Sequence, residues 1–414
     1  MLDNRVVITG MGVVSPIGND VDTFWKNLKN GVCGIKTLPD NMLVKDVNVH
    51  VAGLVTDLFI EKYLDMMAAR RVARFSQFAI YAANEAMNQS GIEMCKEDVN
   101  RVGVMIGNAL GATDLVEQES IVLNSKGAKY VSPLIIPLFI VNMAAGNVAI
   151  HIGAKGICTS ITTACAAATH SIGEAFKALK DGRSNLMIAG GTEACITPLS
   201  IVGFDAIKAL STTQDPLRAS IPFDKNRNGF VLGEGAGVLV METLKHAKSR
   251  GAHIYAEIVG YGATGDAYHI TSPEPSGEGA ARAMNEALEE AGIQPKDIHY
   301  INAHGTSTYY NDLFETIAIK RVFGEDTKVA ISSTKSMTGH LLGAAGGIEA
   351  LTIVKAVIED FIPPTIGYST FDEKCNLDYV INTGRSTNVK YALSSSLGFG
   401  GHNAAIIMKK WEGD

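Results

Sequence analysis

Short apolar runs alternate with helix-forming stretches along the chain, and glycine-rich turns separate them. Residues 5–8 predict a short buried strand, followed by a glycine-rich turn, G-M-G-V-V-S-P-I-G, and a helix over 20–30. Residues 59–91 predict a helix, and 102–106 a strand that opens into the loop G-N-A-L-G-A. The stretch 161–182 has a helix start, body and stop. Ala166, Ala167, Ala168, Glu174, Ala175, Ala178 and Leu179 are good helix formers, Lys177 and Lys180 sit in the last turn, and Asp181-Gly182 ends it. Ile157, Ile161, Thr162 and Thr163 before it predict a strand running into a tight turn. A strand over 186–189 ends in G-G-T-E-A. In G-F-V-L-G-E-G-A-G-V-L-V-M-E (229–242), β-formers follow the glycines, so a strand follows and the glycines serve close backbone packing.

From about residue 254 the pattern begins again: strand 254–261, helix 279–292, strand 298–303, helix 312–323, strand 329–332, helix 343–358 and a final strand pair. The closing S-L-G-F-G-G-H-N-A-A-I-I-M echoes F-V-L-G-E-G-A-G-V-L-V-M. Two halves, 1–253 and 254–414, of mixed α/β pattern predict a duplicated fold.

Composition narrows the class. The 414 residues are 46 % hydrophobic, 7 % aromatic and include 42 glycines, which suits a tightly packed α/β enzyme. The net charge of −7 argues against a general nucleic-acid binder. Six scattered cysteines without a C-x-x-C pair or zinc-ligand spacing indicate a reducing compartment. The start of the chain runs straight into a strand with no leader pattern. The longest apolar run, 131–150, is broken by Pro133, Pro137, Asn142 and Asn147 and is no membrane span. The expectation is a soluble, cytoplasmic protein.

Candidate chemistry starts at Cys165, at or next to the first turn of the 161–182 helix. Free backbone N–H groups and the helix dipole favour an anion there, which predicts a thiol pKa lowered toward thiolate. A buried structural cysteine is the alternative. The glycines after the first strand fail the dinucleotide fingerprint because Ser15-Pro16 interrupts them, and no Walker A sequence occurs. Arg70, Arg71 and Arg74 read first as a solvated face. Three glycine- and hydroxyl-rich turns collect polar residues at strand ends: 302–308, 335–346 and 398–403. His304 and His340, each in such a turn, are candidate catalysts, whereas His246, His253 and His299 sit in ordinary contexts.

Cys165 in T-A-C-A, His304 in N-A-H-G-T-S-T, His340 in K-S-M-T-G-H-L-L-G-A-A-G, and the closing G-F-G-G-H-N resemble the β-ketoacyl-[acyl carrier protein] synthases over essentially the whole chain. The likeness is closest to the type II condensing enzymes of dissociated bacterial fatty-acid synthesis. The resemblance implies a thiolase-type α/β fold of five layers, α-β-α-β-α, with pseudo-twofold halves in a homodimer. It implies that Cys165 takes the acyl chain from acyl carrier protein, and that a malonyl group then loses carbon dioxide and attacks it. His304 and His340 would stabilise the enolate, with at least one neutral, while Lys335 pairs with Glu349 and sets the local field.

The same likeness makes the backbone N–H groups of Cys165 and Phe399 an oxyanion hole. Phe399 becomes a gate in a loop freed by Gly398, Gly400 and Gly401. Thr306, Thr308 and Ser272 would line the phosphopantetheine tunnel, with Leu110, Phe204 and His402 also contacting substrate. Leu110 matches an acyl-pocket position, although Asn108 and Ala109 replace the common Ser-Gly. Arg70, Arg71, Lys129 and Lys208 would bind the acidic carrier protein, with Met67 and Tyr130 where cations are common. No cofactor is implied, beyond the structural monovalent cation that some relatives hold near Asn302, Ala303, Glu349 and Ser394. Competing readings are a thiolase, a priming synthase using Cys-His-Asn, a non-catalytic partner subunit, a nicotinamide oxidoreductase, and a ketosynthase of a specialised polyketide pathway.

Overall fold

The computed structural model describes residues 5–413; residues 1–4 and 414, which the two predicted halves include, lie outside the described residues. Ten strands form one hydrogen-bonded order. In the first half they are β1 (Val6–Val14), β2 (Val102–Gly107), β3 (Cys158–Thr159), β4 (Leu186–Glu193) and β5 (Gly235–Thr243). In the second they are β6 (Ala256–Gly265), β7 (Tyr300–Asn302), β8 (Ala330–Ser332), β9 (Tyr391–Gly398) and β10 (His402–Lys410). The spatial order is β3-β2-β4-β5-β1 in the first half and β8-β7-β9-β10-β6 in the second. In each half the second strand runs parallel to the third and fourth, and the fourth, fifth and first pair antiparallel. Antiparallel pairing of Val6, Val7 and Ile8 with Ile258, Glu257 and Ala256 joins the two sheets. The repeat legible in the sequence is thus the same topology built twice.

The helices that matter here are α1 (Val21–Lys29), α2 (Arg74–Ser90), α3 (Ala167–Lys180), α4 (Glu278–Ala291), α5 (Tyr309–Phe323) and α6 (Ala345–Glu359). α3 and α6 touch each other and strands of both halves, so they form a central layer. Helix α2 covers the outer face of the first sheet and α4 that of the second, which completes five layers. Sequence explains the placement. α6 buries Ile348, Leu351, Ile353, Val354 and Val357 around its whole circumference, and α3 is rich in Ala and buries Ser171 and Gly173, so both fit between sheets.

Three sequence expectations change. Gly10 and Gly12 lie inside β1, not in a turn after it, because α2 presses on that strand. A Cβ at Gly12 would stand 2.9 Å from the Ala86 backbone nitrogen. The strand over 186–189 likewise continues through its glycines to Glu193. The helix over 59–91 is broken into Ile60–Lys62, Met66–Ala69 and α2, since Asp65 caps the middle piece by accepting from Met67 and Ala68 N–H at 2.9 and 2.8 Å, and Ala73 is extended. Among the described residues no helix is long and apolar enough to cross a membrane.

Candidate active site

The chain leaves β3, passes Ala164 in a left-handed conformation (φ 50°), and turns through a 3₁₀ segment, Ala164–Ala166, into α3. The mate of this turn in the second half is Leu342 (φ 45°) with the 3₁₀ segment Leu342–Ala344, which leads into α6. Backbone held there by non-glycine residues costs roughly 1–3 kcal/mol each and persists only where the surroundings over-determine it. Cys165 hangs from the first turn and His340 stands two residues before the second. His340 is pinned by its own N–H to the Val231 carbonyl (2.7 Å) and by its carbonyl to Gly233 N–H (2.9 Å).

His304 follows β7. Its backbone N–H and that of Gly305 each donate to the Glu315 carboxylate at 2.7 Å, and Ser395 Oγ donates to the same group at 2.8 Å. The result is convergence: Cys165 Sγ and one ring nitrogen each of His304 and His340 lie within 4.8 Å of one another, all buried. The imidazole centroids are 5.2 Å apart and nearly perpendicular.

Burial, reinforced by the nearby Lys335 ammonium, holds both imidazoles well below the ordinary histidine range, so both are neutral at physiological pH. Lys335 is 2 % exposed, ion-paired with Glu349, and its Nζ sits 3.5 Å from His304 Nδ1. A lysine donating to Nδ1 leaves the His304 proton on Nε2. The expected resting thiolate is corrected. Burial pushes the Cys165 thiol up to about 12, with Glu193 and Glu349 adding to the rise. Lys335 and a hydrogen bond from the Phe399 backbone oppose it only in part. The site stores its sulfur as a neutral thiol.

These groups face a cavity of about 610 Å³. Thr306, Thr308, Ser272, Leu110, Phe204, Lys208, Phe399, Gly398 and Gly401 all line it with Cys165, His304 and His340. Phe399 caps the β9–β10 hairpin with its ring centroid 6.4 Å from Phe204, which lies 5.4 Å from Phe230, itself 5.3 Å from His340. Gly398 packs so closely that a Cβ there would stand 2.6 Å from the Thr163 carbonyl and 3.3 Å from Cys165 N.

Other expected residues lie elsewhere. His402 is not among the lining residues; its ring stacks edge-on against His170 at 6.4 Å, because the extended β10 turns it toward α3. Gly400 is also off the cavity, held by its N–H to the Ile270 carbonyl. Lys335 and Glu349 stand behind the histidines without lining the cavity. Arg70, Arg71 and Lys129 are exposed and away from it, as are Met67 and Tyr130, while Lys208 sits exposed at its edge. Asn302 Oδ1, Ser394 Oγ and Glu349 Oε2 are buried without hydrogen-bond partners, and Asn302 pairs with Ser394 across β7–β9. Such hard oxygens fit a monovalent cation.

Sequence reasoning missed Phe230, Glu315 and Glu193. Phe230 was visible only as a β-former. The two carboxylates carry no motif of their own, and only their three-dimensional partners reveal them.

Duplicated sheets around two central helices, with a thiol and two neutral imidazoles over one cavity, define the thiolase-type class. Residues 3–247 match "Beta-ketoacyl synthase, N-terminal domain" and residues 255–369 match "Beta-ketoacyl synthase, C-terminal domain". The chain belongs to the β-ketoacyl synthase family. It is 51 % identical over 411 residues, 99 % of either chain, to the 3-oxoacyl-[acyl-carrier-protein] synthase 2 of Staphylococcus aureus. It is 47 % identical to the like-named protein of a Synechocystis species, over 99 % of this chain and 98 % of that one. Among solved structures, a type II polyketide ketosynthase in complex with its acyl carrier protein superposes with a TM-score of 0.91 at 37 % identity, covering 99 % and 100 % of the two chains. A β-ketoacyl synthase of Burkholderia phymatum superposes with a TM-score of 0.91 at 35 % identity, over 98 % and 99 %.

Proposed function

We infer that this chain is a 3-oxoacyl-acyl carrier protein synthase that elongates fatty acyl chains by decarboxylative condensation. The observation that carries this reading is the meeting of Cys165, His304 and His340 within 4.8 Å. In the first step Cys165 Sγ attacks the thioester carbonyl of an acyl-carrier substrate. The thiol proton leaves with the departing phosphopantetheine sulfur, so the exchange is proton-neutral. Backbone N–H groups of Cys165 and Phe399 hold the oxyanion, and removing one such donor typically costs about two to three orders of magnitude in rate. In the second step a malonyl thioester takes the vacated tunnel. Its C–C bond to carboxylate breaks, carbon dioxide leaves, and the electron pair becomes an enolate whose oxygen accepts N–H from His304 and His340. The enolate carbon attacks the acyl carbon, and collapse of that adduct releases Cys165 sulfur to be reprotonated.

Thr306, Thr308 and Ser272 offer short hydroxyls to the amide-rich arm, and Phe399 with its glycine neighbours gates entry. Lys335 fixes the His304 tautomer. Asn302, Ala303, Glu349 and Ser394 would hold a structural monovalent cation, which supplies only balancing charge. Arg70, Arg71, Lys129 and Lys208 meet the acidic carrier protein. The two halves divide at 253/254. A homodimer is supported by the outer edge of β3 and by the exposed Ile136 and Ile150 on that flank. Six free thiols support a reducing, cytoplasmic location.

Incubation with a short acyl-carrier thioester should add one acyl mass to the protein, mapped to Cys165 and absent in Cys165→Ala. Acyl mass on another residue would sink the assignment. Turnover across a ladder of acyl lengths separates housekeeping elongation from a specialised polyketide role.

A further inference from the structure

Glu193, the last residue of β4, has no part in the chemistry above, yet it is fully buried. Its Oε2 accepts Ala109 N–H at 2.7 Å and Gly343 N–H at 3.1 Å, and its Oε1 accepts Leu110 N–H at 3.2 Å. Ala109 and Leu110 leave β2, whereas Gly343 belongs to the turn between His340 and α6. Ala109, Leu110 and Leu342 all line the cavity. One carboxylate therefore ties two separate stretches of the cavity wall to each other.

The second half shows what such a group does. Glu315 takes the consecutive amides of His304 and Gly305, in the loop leaving β7, which is the mate of β2. Glu315 fixes the loop of a reacting imidazole; Glu193 takes the matching amides in the first half and adds a third from the His340 turn.

We propose that Glu193 is a positioning residue that sets acyl-chain selectivity by locking the Ala109–Leu110 wall to the turn after His340. This rests on the condensing-enzyme reading. In an isosteric Glu193→Gln, an NH₂ turned toward Leu110 N–H frees Leu110 from the wall, and an NH₂ turned toward Ala109 and Gly343 N–H parts the wall from the turn, donor against donor in either case.

The test measures kcat/KM for acylation of Cys165 by carrier-linked chains of graded length, beside malonyl decarboxylation by the same preparation. In Glu193→Gln the ratio between best and worst chain length should fall at least about tenfold, with decarboxylation within about threefold of wild type. An unchanged ratio, or a parallel fall of both activities, overturns the proposal. Failure of wild type to acylate Cys165 at all would instead remove the underlying reading.

Should the variant not fold, the wild-type pH profile decides. Burial pushes Glu193 up to about 7 against the pull of its amide donors, so acidification converts one acceptor oxygen to a hydroxyl. The titratable groups that face it, the Cys165 and Cys195 thiols, are both raised by burial and stay neutral there. Selectivity should decline as pH falls through about 7; a flat profile overturns the proposal.

Discussion

Cys165 is 8 % exposed, and His304 and His340 2 % each. That burial does opposite things to the two chemistries: it keeps the sulfur protonated and the imidazoles unprotonated. For the thiol, a raised pKa means that the reactive fraction grows with pH across the whole neutral range. Alkylation of Cys165 by iodoacetamide should therefore climb about tenfold per pH unit from about pH 7 to about pH 9. A plateau near neutrality would show a resting thiolate. For the imidazoles, a lowered pKa means that the neutral donor persists as pH falls, so malonyl decarboxylation should be flat from about pH 8 to just above about pH 7, where Glu315, pushed up to about 7 by burial, starts to take a proton and loosen the His304 loop. His304→Ala or His340→Ala should slow decarboxylation by about two to three orders of magnitude while Cys165 acylation suffers less. Equal loss of both activities would remove the assigned division of labour.

At the scale of elements, helix α3 was legible because its own residues carry every signal: alanines in the body, lysines at the end, Asp181-Gly182 as a stop. The turns bearing His304 and His340 were legible for a similar reason, since glycines and hydroxyls at strand ends mark local backbone demands. The glycines of β1 and β4 misled because their cause is not local: α2 presses on Gly10 and Gly12 of β1, whereas the Gly237 carbonyl of β5 crowds Gly190 and the Gly343 carbonyl crowds Gly191 in β4. The same holds for the thiol. The helix terminus predicts an anion, but the buried surroundings that outweigh it come from distant segments. Gly398 shows how much one such contact matters. In Gly398→Ala the new methyl would meet the Thr163 carbonyl and crowd Cys165 N, displacing the hairpin that carries Phe399. Acylation should fall about 100-fold and the melting temperature should drop by a few degrees, as read by mass spectrometry and calorimetry.

For the whole molecule, the decisive arrangement is that α3 and α6 are each shared by both sheets. Neither half encloses its own central helix. Residues 254–414 expressed alone should consequently lack a cooperative unfolding transition, because α6 would expose the apolar face it now packs against β4 and β5 of the other half. Circular dichroism showing a sharp melt would contradict this. The duplicated topology also explains why the resemblance spans the entire chain: a cysteine from one repeat and histidines from the other are useless apart.

The row of rings from Phe399 through Phe204 and Phe230 to His340 carries one more implication. On the condensing-enzyme reading, an enolate formed beside His340 meets aromatic faces along this side of the cavity, and those faces have no acidic proton to give it. Replacing those rings with polar side chains should therefore raise simple protonation of the enolate relative to carbon–carbon bond formation, read as the ratio of decarboxylated to condensed product.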